Sequence, residues 1–231
     1  GYGAVALRRL PACNEQGLRL LIGAAYREAA ARSLHAAPVF AFFHRESSTF
    51  RVMMRLKEAR APPQSEVRAS LQYLAHCRCC GEVWYVPCDE LGVEGRRCQC
   101  ADESALRLGG PLWSGPMADP EFVSTMRRGA LGRAEECEGS EARSWEETAE
   151  LLHALESEAA ADAAGAVLWQ PLGKIQRALA ARGLEQPKVR DVVEALRERG
   201  YVASRSHSER NSIKTDATLE QLVSVVEARE S

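Results

Sequence analysis

The sequence predicts an α+β protein with three regions in series: a helix and an antiparallel hairpin that close the edge of a larger α/β sheet, a zinc-bearing loop region, and a winged-helix-like C-terminal domain. Three observations carry that expectation. An apolar helical stripe within residues 18–29 is followed by two short strand-like runs; six of the eight cysteines crowd into residues 77–100; and three amphipathic segments in the last third precede two short polar runs. With 231 residues, 45% of them hydrophobic, the chain can bury one large core or two small ones.

From Asn14, which can cap a helix, "EQGLRLLIGAAYREAAAR" sets Leu18, Leu21, Ile22, Ala25, Tyr26 and Ala29 at helical spacing. "PVFAFFH" is then a short apolar run. "TFRVMMRLK" alternates, with Phe50, Val52, Met54 and Leu56 on one face and Arg51, Met53, Arg55 and Lys57 on the other. Two strands joined by so few residues must be antiparallel, so this hairpin fits the end of a sheet whose earlier strands lie outside the chain. The prolines of "EARAPPQSE" mark a linker, which places a domain boundary after residue 58 and a second region over 59–231.

Behind the cysteine cluster (76–101), "LGGPLWSGPMADPEF" has three Gly and three Pro, which predicts an irregular loop over 109–120, packed by its own Leu112, Trp113 and Met117. Asp119 before Pro120 can cap a helix starting near Glu121. In the winged-helix-like part, 144–231, Ser144 and Glu147 have capping-box spacing ahead of Leu151, Leu152 and Leu155. "PLGKIQRALAARG" reads as a short helix ended by Gly183. "QPKVRDVVEALRERG" aligns Val189, Val192, Val193 and Leu196 and stops at Gly200. "YVASRSH" and "SIKTDA" can pair as strands around "SERN", a wing, before a last helix in "LEQLVSVVEA".

The formal net charge of -2 hides a split: residues 135–158 hold nine Glu and one Arg, whereas residues 174–214 hold ten Lys or Arg and five Asp or Glu. Such a split suits a solvated helix beside a binding surface, or two solvated helices. Arg8, Arg9, Arg19 and Arg27 interrupt the apolar positions of the first thirty residues, so neither a signal peptide nor a membrane partner is expected. The uneven cysteines favour an intracellular, metal-binding chain over a secreted disulfide framework. Cys77-x-x-Cys80-Gly81 and Cys98-x-Cys100 form two thiolate pairs suited to a tetrahedral structural zinc, with Cys79, Cys88 or His76 as alternatives for one ligand. Thiols without metal are the competing reading. No dinucleotide loop, P-loop or nucleophile triad is present, so no catalytic residue is assigned.

Several stretches together resemble the tRNA (guanine(26)-N2)-dimethyltransferases: "GYGAVAL", "CNEQGLRLLIGAAYREAAAR" with Glu15 and Arg19, "FRVMMRLK" with Arg51, "GGPLWSGPMADPEFV", and "LRERGYVASRSHSERNSIKTDA". They run in the family's order over nearly the whole chain. The resemblance implies a C-terminal portion. Residues 1–58 would end a class I (Rossmann-like), S-adenosylmethionine-dependent methyltransferase domain, and 59–231 would be the family-specific domain. The cofactor site and catalytic acid would lie upstream, so the chain alone is expected to be inactive and to bind no S-adenosylmethionine.

A guanine amine inside folded tRNA is reached only if the enzyme holds the phosphates and lets the base leave its stack. Arg205, His207, Arg210 and Lys214 on the wing, with Arg51 on the hairpin, are the expected RNA-binding residues. The alternatives are a non-catalytic zinc-containing winged-helix nucleic-acid-binding module and an RNA-binding pseudoenzyme paralogue. If the basic residues instead pair with the Glu-rich helix, the wing is a structural clasp.

Overall fold

A computed structural model describes residues 3–58, 62–91, 98, 100, 103–180, 183 and 187–230. The helical spacing near the start forms α1 (Cys13–Ala31), with Leu18, Ile22, Tyr26 and Ala29 buried. Its start lies before Asn14: Ala12 occupies the cap position and no side chain caps the helix. Ala12 packs in the core beside Leu7 and Leu10, and this packing sets the entry in place of a capping bond.

Strands β1 (Leu34–His44) and β2 (Thr49–Glu58) pair antiparallel, Phe43 opposite Phe50 and Ala41 opposite Val52. Leu18 and Ile22 of α1 pack against Ala41, Phe43, Val52 and Met54. The alternation of β2 is only half used, for Val52 and Met54 are partly buried while Phe50 and Leu56 are 39% and 56% exposed.

Two expectations for the middle of the chain are corrected. The segment read as a linker, 58–66, runs into α2 (Gln64–Ser70), which leads into β3 (Leu71–Cys77); residues 59–61 are outside the described set. The first part of the Gly/Pro loop, 109–113, is strand, while 114–119 are irregular as expected: β5 (Leu106–Trp113) pairs with β3, which also pairs with β4 (Val83–Val86), in the order β4-β3-β5. An edge position tolerates Pro111, which has no N–H to give to a ladder. The glycines admit the N-terminal segment: a Cβ on Gly109 would sit 2.7 Å from Leu7 Cγ, and Gly110 has φ +114° and exchanges both backbone bonds with Val5. Helix α1 lies against this sheet too, Gly23 meeting Leu112 and Trp113, so the buried core runs across residue 58.

Asp119 caps α3 (Pro120–Glu136) as the sequence implies, its carboxylate accepting from the Glu121 and Phe122 amides. The next helix, α4 (Gly139–Ala163), begins five residues before Ser144. Ser144 therefore caps nothing, because the Ala- and Glu-rich residues around it all continue the helix; its carbonyl accepts from Thr148 Oγ1. Ala118, Val123, Ala149, Leu152 and Leu155 form one cluster, against which Phe40 and Phe42 of β1 pack.

The last part holds β6 (Gln170–Pro171), α5 (Leu172–Ala180), α6 (Val189–Glu198), β7 (Ala203–Arg205), β8 (Ser212–Thr215) and α7 (Leu219–Glu230). The strands make one antiparallel sheet, ordered β6-β8-β7. Val189, Val192, Val193 and Leu196 join Ile175, Leu179, Ile213 and Leu222 in a separate core, and Gly200, at φ +84°, follows α6. No described helix is long and apolar enough to cross a membrane.

Candidate functional site

Cys77 ends β3 and Cys80 sits on the turn that leads into β4. Gly81, at φ +77°, allows that turn: its N–H donates to the Cys77 carbonyl at 2.7 Å, and the Cys77 N–H donates to the Glu82 carbonyl at 2.9 Å. Cys98 and Cys100 come to the same place. The sulfurs of Cys77, Cys80, Cys98 and Cys100 all lie within 4.8 Å of one another. A tetrahedral zinc with bonds of about 2.3 Å would set its sulfurs about 3.8 Å apart, so a modest contraction closes the set.

Burial opposes ionisation of Cys77, but N–H donors from the Cys80 and Cys79 backbone outweigh it and bring its pKa to about 7. Burial pushes the Cys80 thiol up. Cys88 stands apart, its Sγ donating to the Leu71 carbonyl at 3.1 Å, and Cys79 is exposed. The geometry thus groups the C-x-x-C and C-x-C pairs.

A second constellation is buried and charged. Glu15 and Arg19 are one turn apart on the same side of α1 as Leu18 and Ile22, a charged pair on an apolar face. Arg19 has no solvent exposure and places all five of its N–H donors. Nε and Nη2 reach Glu15 Oε1 at 3.1 and 2.9 Å, Nη2 reaches Asp162 Oδ1 at 2.6 Å, and Nη1 reaches the Trp113 and Gly115 carbonyls at 3.2 and 2.8 Å. Lys214 Nζ adds contacts of 2.7 Å to Glu15 Oε1 and 2.6 Å to Asp162 Oδ1. The Trp169 amide completes Glu15 by donating to Oε2 at 3.0 Å. Two carboxylates and two cations are thereby neutralised inside the protein.

This ion set answers to α1, the end of α4, β8 and the segment after β5. Burial alone would raise the Glu15 pKa, yet Lys214 and Arg19 hold it at about 2. Burial pushes Asp162 up, with Arg19 and Lys214 opposing and Glu15 adding to the rise. Tyr85, whose hydroxyl donates to the Val167 carbonyl at 3.0 Å, is raised by burial beside the same group.

The wing residues divide. Arg205 and Arg210 are exposed, as is Arg51 on β2. Lys214 and His207, expected at RNA, are enclosed by protein. Lys214 is enclosed by the ion set, and the His207 side chain, 4% exposed, packs on α4. Its Nδ1 lies 3.0 and 3.1 Å from the two Glu158 oxygens, its own amide donates to Glu158, and its Nε2 accepts from the Phe43 amide at 3.2 Å. Glu158 belongs to the Glu-rich helix, so these two side chains face protein. Sequence reasoning missed Asp162 and Tyr85 and assigned no task to Glu15 and Arg19. The i, i+4 pair among apolar neighbours was the available signal.

The family described as N2,N2-dimethylguanosine tRNA methyltransferase matches residues 1–227. A tRNA (guanine(26)-N(2))-dimethyltransferase of Methanopyrus kandleri is 34% identical over 226 residues, 96% of this chain and 52% of that protein. One from Archaeoglobus fulgidus is 28% identical over 228 residues, 99% of this chain and 56% of that protein. Among solved structures, Trm1 from Pyrococcus horikoshii with S-adenosyl-L-methionine aligns with a TM-score of 0.71 at 28% identity, covering 97% of this chain and 52% of that one. The chain spans about half the length of the relatives it matches.

Proposed function

The chain belongs to the N2,N2-dimethylguanosine tRNA methyltransferase family, and on that footing we propose that it is the C-terminal portion of a tRNA (guanine(26)-N2)-dimethyltransferase, the portion that grips tRNA. The observation that carries the reading is the match over residues 1–227. The hairpin adds support. A free binding module has little use for a two-stranded sheet whose second strand leaves Phe50, Met53 and Leu56 39–56% exposed, whereas a methyltransferase sheet would continue there. The order of α4, β6, α5, α6, β7 and β8 supports a winged-helix-like reading of the last part.

In this reading S-adenosylmethionine supplies the methyl group and is held by strands other than β1 and β2. Arg205, Arg210 and Arg51 hold phosphates and position the tRNA without reading its sequence. Cys77, Cys80, Cys98 and Cys100 hold one structural zinc, which ties β3 and β4 to the loop before β5.

Two titrations of the 231-residue chain test this. Unmodified tRNA should bind with an affinity that falls steeply with salt, and calorimetry with S-adenosylmethionine should show no heat of binding. Absence of tRNA binding at low salt would remove the gripping role. Micromolar binding of the cofactor would place its site within this chain.

A further inference from the structure

The wing and the hairpin meet at their tips. Phe43, near the end of β1, donates its amide to His207 Nε2 at 3.2 Å, and Arg45, in the β1–β2 turn, reaches Glu209 at 2.7 Å. The first contact is part-buried and the second exposed. His207 is held on its other side by Glu158, which takes both the ring Nδ1 and the backbone amide of this residue. With Nε2 accepting from the Phe43 amide and Nδ1 against the Glu158 carboxylate, one imidazole bonds β1 and α4 at once. The serines beside it support the turn: Ser206 Oγ accepts from the Ser208 amide at 3.3 Å, and Ser212 Oγ donates to the Glu209 carbonyl at 2.7 Å.

We propose that His207 is a positioning residue, a latch that fixes the basic wing side chains Arg205 and Arg210 relative to the β1–β2 hairpin carrying Arg51, so that the two elements present one preformed surface to RNA phosphate. The proposal rests on the tRNA-gripping reading above. Its physical ground is preorganisation: a wing already held in its bound position loses less conformational freedom when RNA arrives, and the affinity rises without a new contact. His207 touches no phosphate. Its loss therefore weakens binding without changing how many counterions are released, whereas loss of Arg205 or Arg210 changes both.

The test compares His207→Ala, His207→Gln, Arg205→Ala and Arg210→Ala in the 231-residue chain, with tRNA affinity measured across a salt series and amide exchange measured at Phe43. Removing one buried hydrogen-bond acceptor should weaken tRNA binding about tenfold in His207→Ala. The slope of log affinity against log salt should stay unchanged there, and the Phe43 amide should lose protection. A glutamine amide oxygen can accept from Phe43, so His207→Gln should restore most of the affinity and the protection. This rescue separates the latch from general loss of folding, which circular dichroism reports independently. The two arginine variants should each lower the salt slope by up to about one counterion while Phe43 stays protected. If His207→Ala binds tRNA as tightly as the parent while the arginine variants bind weakly, the latch is overturned and the gripping role survives. Should the arginine variants also bind like the parent, the wing does not face tRNA at all. A reduced salt slope in His207→Ala would overturn the latch in favour of direct phosphate contact.

Discussion

Lys214 Nζ sits 2.7 Å from Glu15 Oε1, although 199 residues separate them in the chain. The contact joins β8 to α1, and both side chains are buried. A lysine that looks like a phosphate ligand in the sequence is therefore an internal counter-ion.

Lys214→Ala should destabilise the fold by about 3–5 kcal/mol, the cost of leaving a buried carboxylate partner uncompensated. Denaturant unfolding followed by circular dichroism measures it. A loss under about 0.5 kcal/mol would mean the lysine is on the surface, where substitutions cost little.

Acid should weaken the fold through Glu15. Its carboxylate has a pKa of about 2 when folded and an ordinary value of 4.5 when unfolded, so unfolding takes up a proton in between. The stability it contributes is fully present above 4.5 and is lost as pH falls toward 2. Asp162, raised by burial, acts in the opposite sense, so the observable is the difference between the parent and Glu15→Gln. Unfolding free energies at stepped pH should fall more steeply toward acid in the parent. Parallel profiles would remove Glu15 from the ion set.

Metal analysis of protein purified under reducing conditions with added zinc should give about one zinc per chain. Cys80→Ser and Cys100→Ser should each lose it and lower the melting temperature. Cys88→Ser, whose sulfur bonds Leu71 instead, should keep it. Zinc retained in Cys100→Ser but lost in Cys88→Ser would reassign the fourth ligand.

Gly109→Ala should cost about 1–3 kcal/mol, because the new methyl would meet Leu7 Cγ at 2.7 Å and the Val5 carbonyl oxygen at 3.0 Å. Gly129→Ala, with open space around it in α3, should be neutral or slightly stabilising. Thermal melts of the two variants give the comparison.

Elements with local causes can be read from the chain alone. Helix α6 was legible from its valine stripe and Gly200, the start of α3 from Asp119 and Pro120, and the hairpin from alternation across a short turn. These depend on neighbours within a few residues, which is the range that propensity and capping reach. The grouping of the two cysteine pairs is also legible, because their spacing is written in the chain. Other features depend on contacts between distant segments, which no local pattern specifies. Leu106–Trp113 became a strand because β3 offered it an edge and the Val5–Leu7 segment filled the space its glycines left. The direction in which Lys214 points was decided in the same way. All four residues of β8 are buried, so a period of two cannot tell inside from outside, and a cation is admitted to the interior only by Glu15 and Asp162, acids 199 and 52 residues away.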